Sequence, residues 1–310
     1  MLGPVPAAAT RVALAPSASD AVAAAVLDGG GEVVELADQP DALVWSAPDD
    51  PSGLAEAVRS APSLQWGQLP FAGVERFVDE LDPSLTWTCA KGVYAEPVAE
   101  HALALALAGL RSLRERARAA SWGEQAAETL YDAPVVVLGA GGITSSLLEL
   151  LAPFRCPVTV VRRSGEPVPG AARTVATDRL DEVLPEARVV VLALALTPET
   201  RHVVGRAQLA AMSSSAWLVN VARGEHVDTD ALVEALRAGQ IGGAALDVTD
   251  PEPLPDGHPL WDLPTCLITP HTANPWSTAQ PLLARRVAEN VRRWTAGEPL
   301  LGLVDLDRGY

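Results

Sequence analysis

Short apolar runs rich in valine and leucine alternate with helix-like stretches along the whole chain, and this alternation constrains the fold more than any other feature. Such a pattern builds parallel strands joined by crossover helices, an α/β architecture. In the first third, strands are expected at Arg11–Ala15, Glu32–Leu36, Ala42–Ser46 and Leu64–Leu69. Helices are expected between them at Asp20–Leu27, Leu54–Arg59 and Val74–Leu81. A long helical segment over 97–120 follows, apolar nearly all round from Ala102 to Leu110, so it must be buried. Strands are then expected at Val135–Leu138, Val158–Arg162, Val189–Leu194, Ala216–Val221, Gly243–Leu246 and Leu267–Thr269. The intervening helices fall at Ile143–Ala152, Arg179–Leu184, Arg206–Ala211 and Asp228–Ala238, and an amphipathic helix over 276–295 closes the chain.

The 310 residues suit two domains. The expectation is two doubly wound parallel-sheet units. A Rossmann dinucleotide-binding domain spans 98–274, and a smaller flavodoxin-like domain is discontinuous, residues 1–97 and 275–310.

Composition narrows the function. Hydrophobic residues make up 48% and charged residues 20%, a globular balance. A formal net charge of −16 repels phosphate backbones and anionic lipid, so neither nucleic acid nor a membrane surface is an expected partner. The longest apolar run is too short to span a bilayer, and Pro4, Pro6 and Pro16 interrupt an N-terminus that has no basic region, so no signal peptide is expected. Cys89, Cys156 and Cys266 form no CxxC and no ligand cluster, which points to a reducing cytoplasm and no metal site.

The run Val135-Val-Val-Leu-Gly139-Ala-Gly141-Gly142-Ile143-Thr144 places glycines between a strand and a helix. There the backbone turns tightly and its N–H groups face a pyrophosphate at a helix N-terminus. Gly139, Gly141, Gly142 and Ile143 are therefore cofactor-binding candidates. At the end of the next strand, where the fingerprint has an acid for the ribose hydroxyls, stand Arg162, Arg163 and Ser164. A guanidinium fork suits a 2′-phosphate, so NADP is expected over NAD.

Three further segments end strands: Asn220-Val-Ala-Arg223-Gly224, Ala245-Leu-Asp247 through Glu252-Pro253, and Thr269-Pro-His271. An arginine, a carboxylate and a histidine thus gather where open parallel sheets bind ligands. Together they fit reduction of a 2-oxo acid. That chemistry needs a guanidinium for the carboxylate, a general acid for the carbonyl oxygen, and an anion that keeps the acid protonated.

With Tyr94-Ala-Glu-Pro-Val-Ala-Glu100-His101 and Leu196-Thr-Pro-Glu-Thr200, these segments make the chain resemble the D-isomer-specific 2-hydroxyacid dehydrogenases, of the glyoxylate/hydroxypyruvate reductase kind. The resemblance covers nearly the whole chain. It implies that Arg223 binds the substrate carboxylate, His271 donates the proton, and Glu252 pairs with His271. It implies that Asp247 orients the nicotinamide carboxamide and that Thr197 and Ala222 contribute to the cofactor site. The Phe71-Ala72-Gly73-Val74 turn would offer N–H groups to the carboxylate, and Trp45 would line the opposite wall; Trp276, independently of the resemblance, follows the His271 loop closely enough in sequence to wall the pocket. The partners implied are a small 2-oxo or 2-hydroxy acid, NADP or NAD, and a second copy of the chain as a homodimer. A dinucleotide-sensing binding protein with little turnover would keep the same unit, and stands as the alternative.

The departures from the family pattern concern the cofactor. Thr144 replaces the third glycine and adds bulk at a packing point, Gly142 stands where an arginine is common, Ala195 replaces a proline, and Arg162 replaces the usual acid. His101 and His258 are expected to make structural hydrogen bonds, and His202 and His226 have no partner that the sequence identifies.

Overall fold

The computed structural model describes residues 9–17, 19–125 and 127–309; the expectation about the first residues, with Pro4 and Pro6, lies outside them. The chain forms two compact units, Met1–Tyr94 with Trp276–Tyr310, and Ala95–Pro275. The boundaries lie at 94/95 and 275/276, against 97/98 and 274/275 in the sequence expectation.

The first unit holds β1 (Arg11–Ala15), α1 (Asp20–Asp28), β2 (Glu32–Val34), β3 (Ala42–Trp45), α2 (Pro51–Ser60), β4 (Trp66–Gln68) and β5 (Thr86–Thr88). All five strands are parallel, in the order β2-β1-β3-β4-β5 of flavodoxin-like sheets. The chain direction across the sheet reverses at the β1/β3 pair, which is where such sheets open a crevice.

The second unit holds α3 (Ala95–Leu110), α4 (Leu113–Arg118), β6 (Val135–Leu138), α5 (Gly142–Leu151), β7 (Val158–Val161), β8 (Arg173–Val175) and α6 (Leu180–Val183). It continues with β9 (Val189–Leu192), α7 (Arg206–Ala211), β10 (Trp217–Asn220), α8 (Thr229–Arg237), β11 (Gly243–Leu246), α9 (Pro259–Asp262) and β12 (Cys266–Ile268). Its seven parallel strands run β12-β11-β10-β9-β6-β7-β8, with the switch point between β9 and β6. β6 and β9 are buried at every position, as valine-rich strands covered on both faces must be.

The closing helix, α10 (Trp276–Ala296), belongs to the first unit. Leu283, Val287 and Val291 join a core with Val12, Val26, Val44 and Trp66. Asn290, fully buried, donates to Gln68 Oε1 at 2.9 Å and to the Leu301 carbonyl at 3.0 Å, so its burial is compensated.

Three expectations are corrected. Val74–Leu81 is not a helix: only a short 3₁₀ turn, Val78–Glu80, forms, while Val74, Phe77 and Leu81 pack into the core from a compact turn. The segment over 97–120 is two helices, broken where Ser112 takes φ 50°. Each sheet has one strand more than expected, β5 and β8, both three residues long.

Candidate active site

The carboxyl ends of β10, β11 and β12 lie side by side in register, with Asn220 beside Leu246 and Leu246 beside Ile268. The residues that follow these strands therefore converge on one edge. His271 Nδ1 lies 2.7 Å from Glu252 Oε1, with the histidine ring about half exposed. The hydrogen bond from His271 holds the Glu252 carboxyl below its ordinary range, and the charge of Arg223 lowers it further. Arg223, Glu252 and His271 thus form one electrostatic group.

Gly224 lets the pieces approach. A Cβ there would stand 2.0 Å from the carbonyl carbon and oxygen of Thr249, so only glycine allows the loop carrying Glu252 to lie against the Arg223 turn. The loop is tied down on both sides of that contact: Thr229 Oγ1 donates to the Asp250 carbonyl at 2.8 Å, and Thr249 Oγ1 to the Pro251 carbonyl at 2.9 Å.

Asp247 organises the histidine turn. Its side chain is 1% exposed, and Oδ1 accepts from Thr269 Oγ1 at 2.6 Å and from the Thr272 N–H at 2.9 Å. Oδ2 accepts from the Ala273 N–H at 3.0 Å, and His101 Nε2 stands 3.2 Å from Oδ1. Burial alone would raise its carboxyl, but the donors together outweigh it and bring the pKa to about 2. The His271 N–H donates to the Asp247 carbonyl at 2.8 Å, so the turn is gripped by side chain and backbone at once. Within it His271 takes φ 50°, a left-handed conformation that histidine tolerates better than most residues.

At the switch point, Gly139 has φ 108° and a Cβ on it would meet the Ala193 carbonyl oxygen at 2.1 Å. Nothing lies within 4 Å of a Cβ on Gly141, and α5 opens at Gly142, so the loop presents an open helix N-terminus. This arrangement fits the pyrophosphate of a dinucleotide. Thr144 is fully buried, and its Oγ1 donates to the Gly139 carbonyl at 2.9 Å. The bulk expected to disturb the packing is thus accommodated by a hydrogen bond.

Arg162, Arg163 and Ser164 leave β7 on the same carboxyl edge. Arg162 pairs with Glu166 at 3.5 Å, and Ser164 Oγ donates to Glu166 Oε2 at 3.2 Å. Thr197 Oγ1 donates to Glu199 Oε2 at 2.8 Å, and Ala222 donates its N–H to Asn220 Oδ1 at 3.0 Å.

In the first unit, a cavity of about 270 Å³ opens at the carboxyl ends of β1 and β3, the reversal point of that sheet. Trp45 and Trp276 both line it, with Ser17, Ser46 and Pro70. Trp45 is held by a 2.7 Å hydrogen bond from Nε1 to the Ala47 carbonyl. Ala72 and Gly73 sit at the surface in the turn after Pro70, whereas the Val74 side chain is fully buried and could offer only its backbone.

The sequence reading gave no role to His226, nor to Asn220 and Thr269, which it named only as the first residues of their segments. Asn220 Nδ2 donates to the Arg223 carbonyl at 2.7 Å, and the Arg223 N–H donates to His226 Nδ1 at 3.1 Å. Asn220 and Thr269 flank recognised motif residues, and that proximity was the available signal. His101 and His258 do make hydrogen bonds: His101 Nε2 lies 3.0 Å from Thr269 Oγ1, across 168 residues of sequence, and His258 accepts the Leu260 N–H at the start of α9.

A glycine loop at the switch point of one parallel sheet and an Arg–Glu–His group on its carboxyl edge define a nicotinamide-dependent oxidoreductase, and comparison with known proteins agrees. Residues 101–273 match the D-isomer specific 2-hydroxyacid dehydrogenase NAD-binding domain, and the chain belongs to that family. It is an NAD(P)-dependent enzyme of the 2-hydroxyacid dehydrogenase class. An uncharacterized protein in the proB 3′ region of Corynebacterium melassecola is 41% identical over 297 residues, 92% of this chain and 95% of that one. A D-isomer specific 2-hydroxyacid dehydrogenase from Xanthobacter autotrophicus Py2, solved with NADPH and MES, superposes with TM-score 0.85 at 29% identity, covering 98% of this chain and all of that one. An NADPH-dependent glyoxylate/hydroxypyruvate reductase from Sinorhizobium meliloti, solved with NADP and sulfate, gives TM-score 0.81 at 26% identity over 97% of this chain and all of that one. Among the described residues, no helix is long and apolar enough to cross a membrane.

Proposed function

We propose that the protein reduces a small 2-oxo acid to the D-2-hydroxy acid, using NADPH in preference to NADH, with Arg223, Glu252 and His271 as its reacting group. The observation that carries this reading is the 2.7 Å contact of a half-exposed His271 with Glu252 beside Arg223. The cofactor, when bound, supplies a hydride. The Arg223 guanidinium pairs with the substrate carboxylate and polarises the adjacent carbonyl. His271 Nε2 faces away from Glu252 and gives its proton to the carbonyl oxygen, while the Glu252 carboxylate stabilises the imidazolium through Nδ1. Asp247 keeps the turn beneath His271 rigid, and Oδ2, which accepts from Ala273, has a second lone pair for a carboxamide N–H.

Gly139, Gly141, Gly142 and Ile143 would hold the pyrophosphate, with Thr197 and Ala222 on the neighbouring strand ends. Arg162, Arg163 and Ser164 would receive the 2′-phosphate, in place of the contact Arg162 makes with Glu166. NADPH and NADP in the Xanthobacter and Sinorhizobium structures support this choice. Trp45 and Trp276 bound the cavity that would take the substrate side chain, and the Ala72–Val74 turn would add N–H groups. A second copy of the chain would cover Leu103 and Leu107 of α3, which the second unit leaves partly exposed. The free thiols suit a cytoplasmic setting.

The test is steady-state oxidation of NADPH and of NADH, followed at the nicotinamide absorbance, with a panel including glyoxylate, hydroxypyruvate and pyruvate. Turnover with a higher kcat/KM for NADPH is expected. Tight cofactor binding without turnover would replace this reading by the sensing one.

A further inference from the structure

We propose that His226 is a positioning residue that sets the backbone of Arg223 and couples it to the loop bearing Thr197; this rests on the function proposed above. His226 is fully buried, yet both of its ring nitrogens have partners. Nε2 lies 3.3 Å from the Ala195 carbonyl oxygen, which can only accept, so Nε2 carries the proton. In the neutral ring Nδ1 then has a lone pair, and the Arg223 N–H donates to it at 3.1 Å. The Arg223 carbonyl also lies 3.1 Å from Nδ1, but it already accepts from Asn220 Nδ2 at 2.7 Å and from the His226 N–H at 3.3 Å. One tautomer therefore satisfies every group. Burial disfavours the charged imidazole, and the nearby Arg223 charge acts the same way.

Two loops are joined through this ring. On one side Asn220 and His226 hold the two backbone polar groups of Arg223, fixing where its guanidinium starts. On the other, the Ala195 carbonyl accepts from both His226 and Thr200 Oγ1, the latter at 2.8 Å. Thr200 Oγ1 in turn accepts the Thr197 N–H at 2.8 Å. An unbroken line of hydrogen bonds runs from Thr197, on the cofactor side, to Arg223, on the substrate side. The backbone of His226 cannot drift, because its carbonyl accepts the Val204 N–H at 3.0 Å.

The two ends of the ring can be cut separately. Asparagine can place an amide oxygen near the Nδ1 position and keep the acceptor for Arg223, but does not reach Ala195. Glutamine can place an amide NH₂ near the Nε2 position and keep the donor to Ala195, but loses the acceptor for Arg223. His226→Gln should raise KM for the 2-oxo acid about tenfold, leaving KM for NADPH within about twofold; tenfold corresponds to about 1.4 kcal/mol. His226→Asn should do the reverse, and KM is independent of the fraction of active enzyme. Parallel changes in both constants, no change in either, or loss of the folded state in both variants would each overturn the assignment. Absence of turnover in the unaltered enzyme would instead mark failure of the proposed function, so the two failures are distinct.

Discussion

Replacing Gly224 by alanine tests how the reacting group is assembled. The added Cβ would stand 2.0 Å from the Thr249 carbonyl carbon and oxygen and 2.5 Å from the Asp250 nitrogen, all of them backbone atoms. Ordinary contact begins at 3.4 Å, so the loop must retreat by about 1.4 Å, the difference between 3.4 and 2.0. Glu252 lies two residues beyond this contact. A retreat of that size, carried to its carboxylate, turns the 2.7 Å approach to His271 into roughly 4 Å, too long for a hydrogen bond. Misplacement of a catalytic group by about 1 Å costs on the order of 10²-fold, so kcat/KM for the 2-oxo acid should fall about a hundredfold. Overpacking should also lower stability by about 1–3 kcal/mol, visible as a drop in Tm. The dissociation constant for NADPH should stay within about twofold, because the glycine loop after β6 is untouched. Gly205→Ala is the control: its nearest neighbours stand at 3.5 and 3.6 Å, and it should change little. If Gly224→Ala keeps kcat/KM within about threefold of the parent, the Thr249–Asp250 backbone does not set the position of Glu252.

Three further outcomes are expected. His271→Ala should lower kcat by about 10²–10⁴-fold with cofactor binding retained, read by fluorescence titration with NADPH; undiminished turnover would remove His271 from the acid role. Arg162→Asp should shift the ratio of kcat/KM values from NADPH toward NADH, and an unchanged ratio would leave Arg162 outside the cofactor site. Asp247 has a folded pKa of about 2 against an ordinary 3.8, so its contribution, about 2 kcal/mol, is fully present above pH 3.8 and is lost as pH falls through about 2. Asp247→Asn should therefore be less stable than the parent in urea at neutral pH, with the gap narrowing below pH 3.8; a gap independent of pH would show that its charge does not hold the turn.

The elements legible in sequence were those whose burial is uniform. β1, β6 and β11 begin and end where the apolar runs do, because each run of hydrophobic residues is buried throughout or nearly so. β8 escaped because it is three residues at a sheet edge with Arg173 outward, leaving little apolar signal. Val74, Phe77 and Leu81 have helical spacing, but a compact turn buries the same three side chains, and periodicity cannot separate the two. At the site, the charged residues were legible from their motifs. What positions them was not: Thr229 holds the Asp250 carbonyl and Thr269 holds Asp247 across 21 and 22 residues of sequence. Such side chains carry no reactive group, and only the fold brings their partners near.

The threonine at the third place of the glycine loop has a consequence for recognising chains of this kind. A pattern that insists on three glycines passes over this protein, although its loop turns as the pattern requires. The position demands compactness and can also use a hydroxyl, since Thr144 Oγ1 pins the carbonyl of the first glycine of the loop. Serine would keep that tether with one methyl fewer. Placing glycine at position 144 would bring the sequence closer to the fingerprint and remove the hydroxyl that holds the Gly139 carbonyl. Relatives bearing a small hydroxyl residue here therefore belong in the same search, and consensus design at this position would loosen the loop it aims to restore.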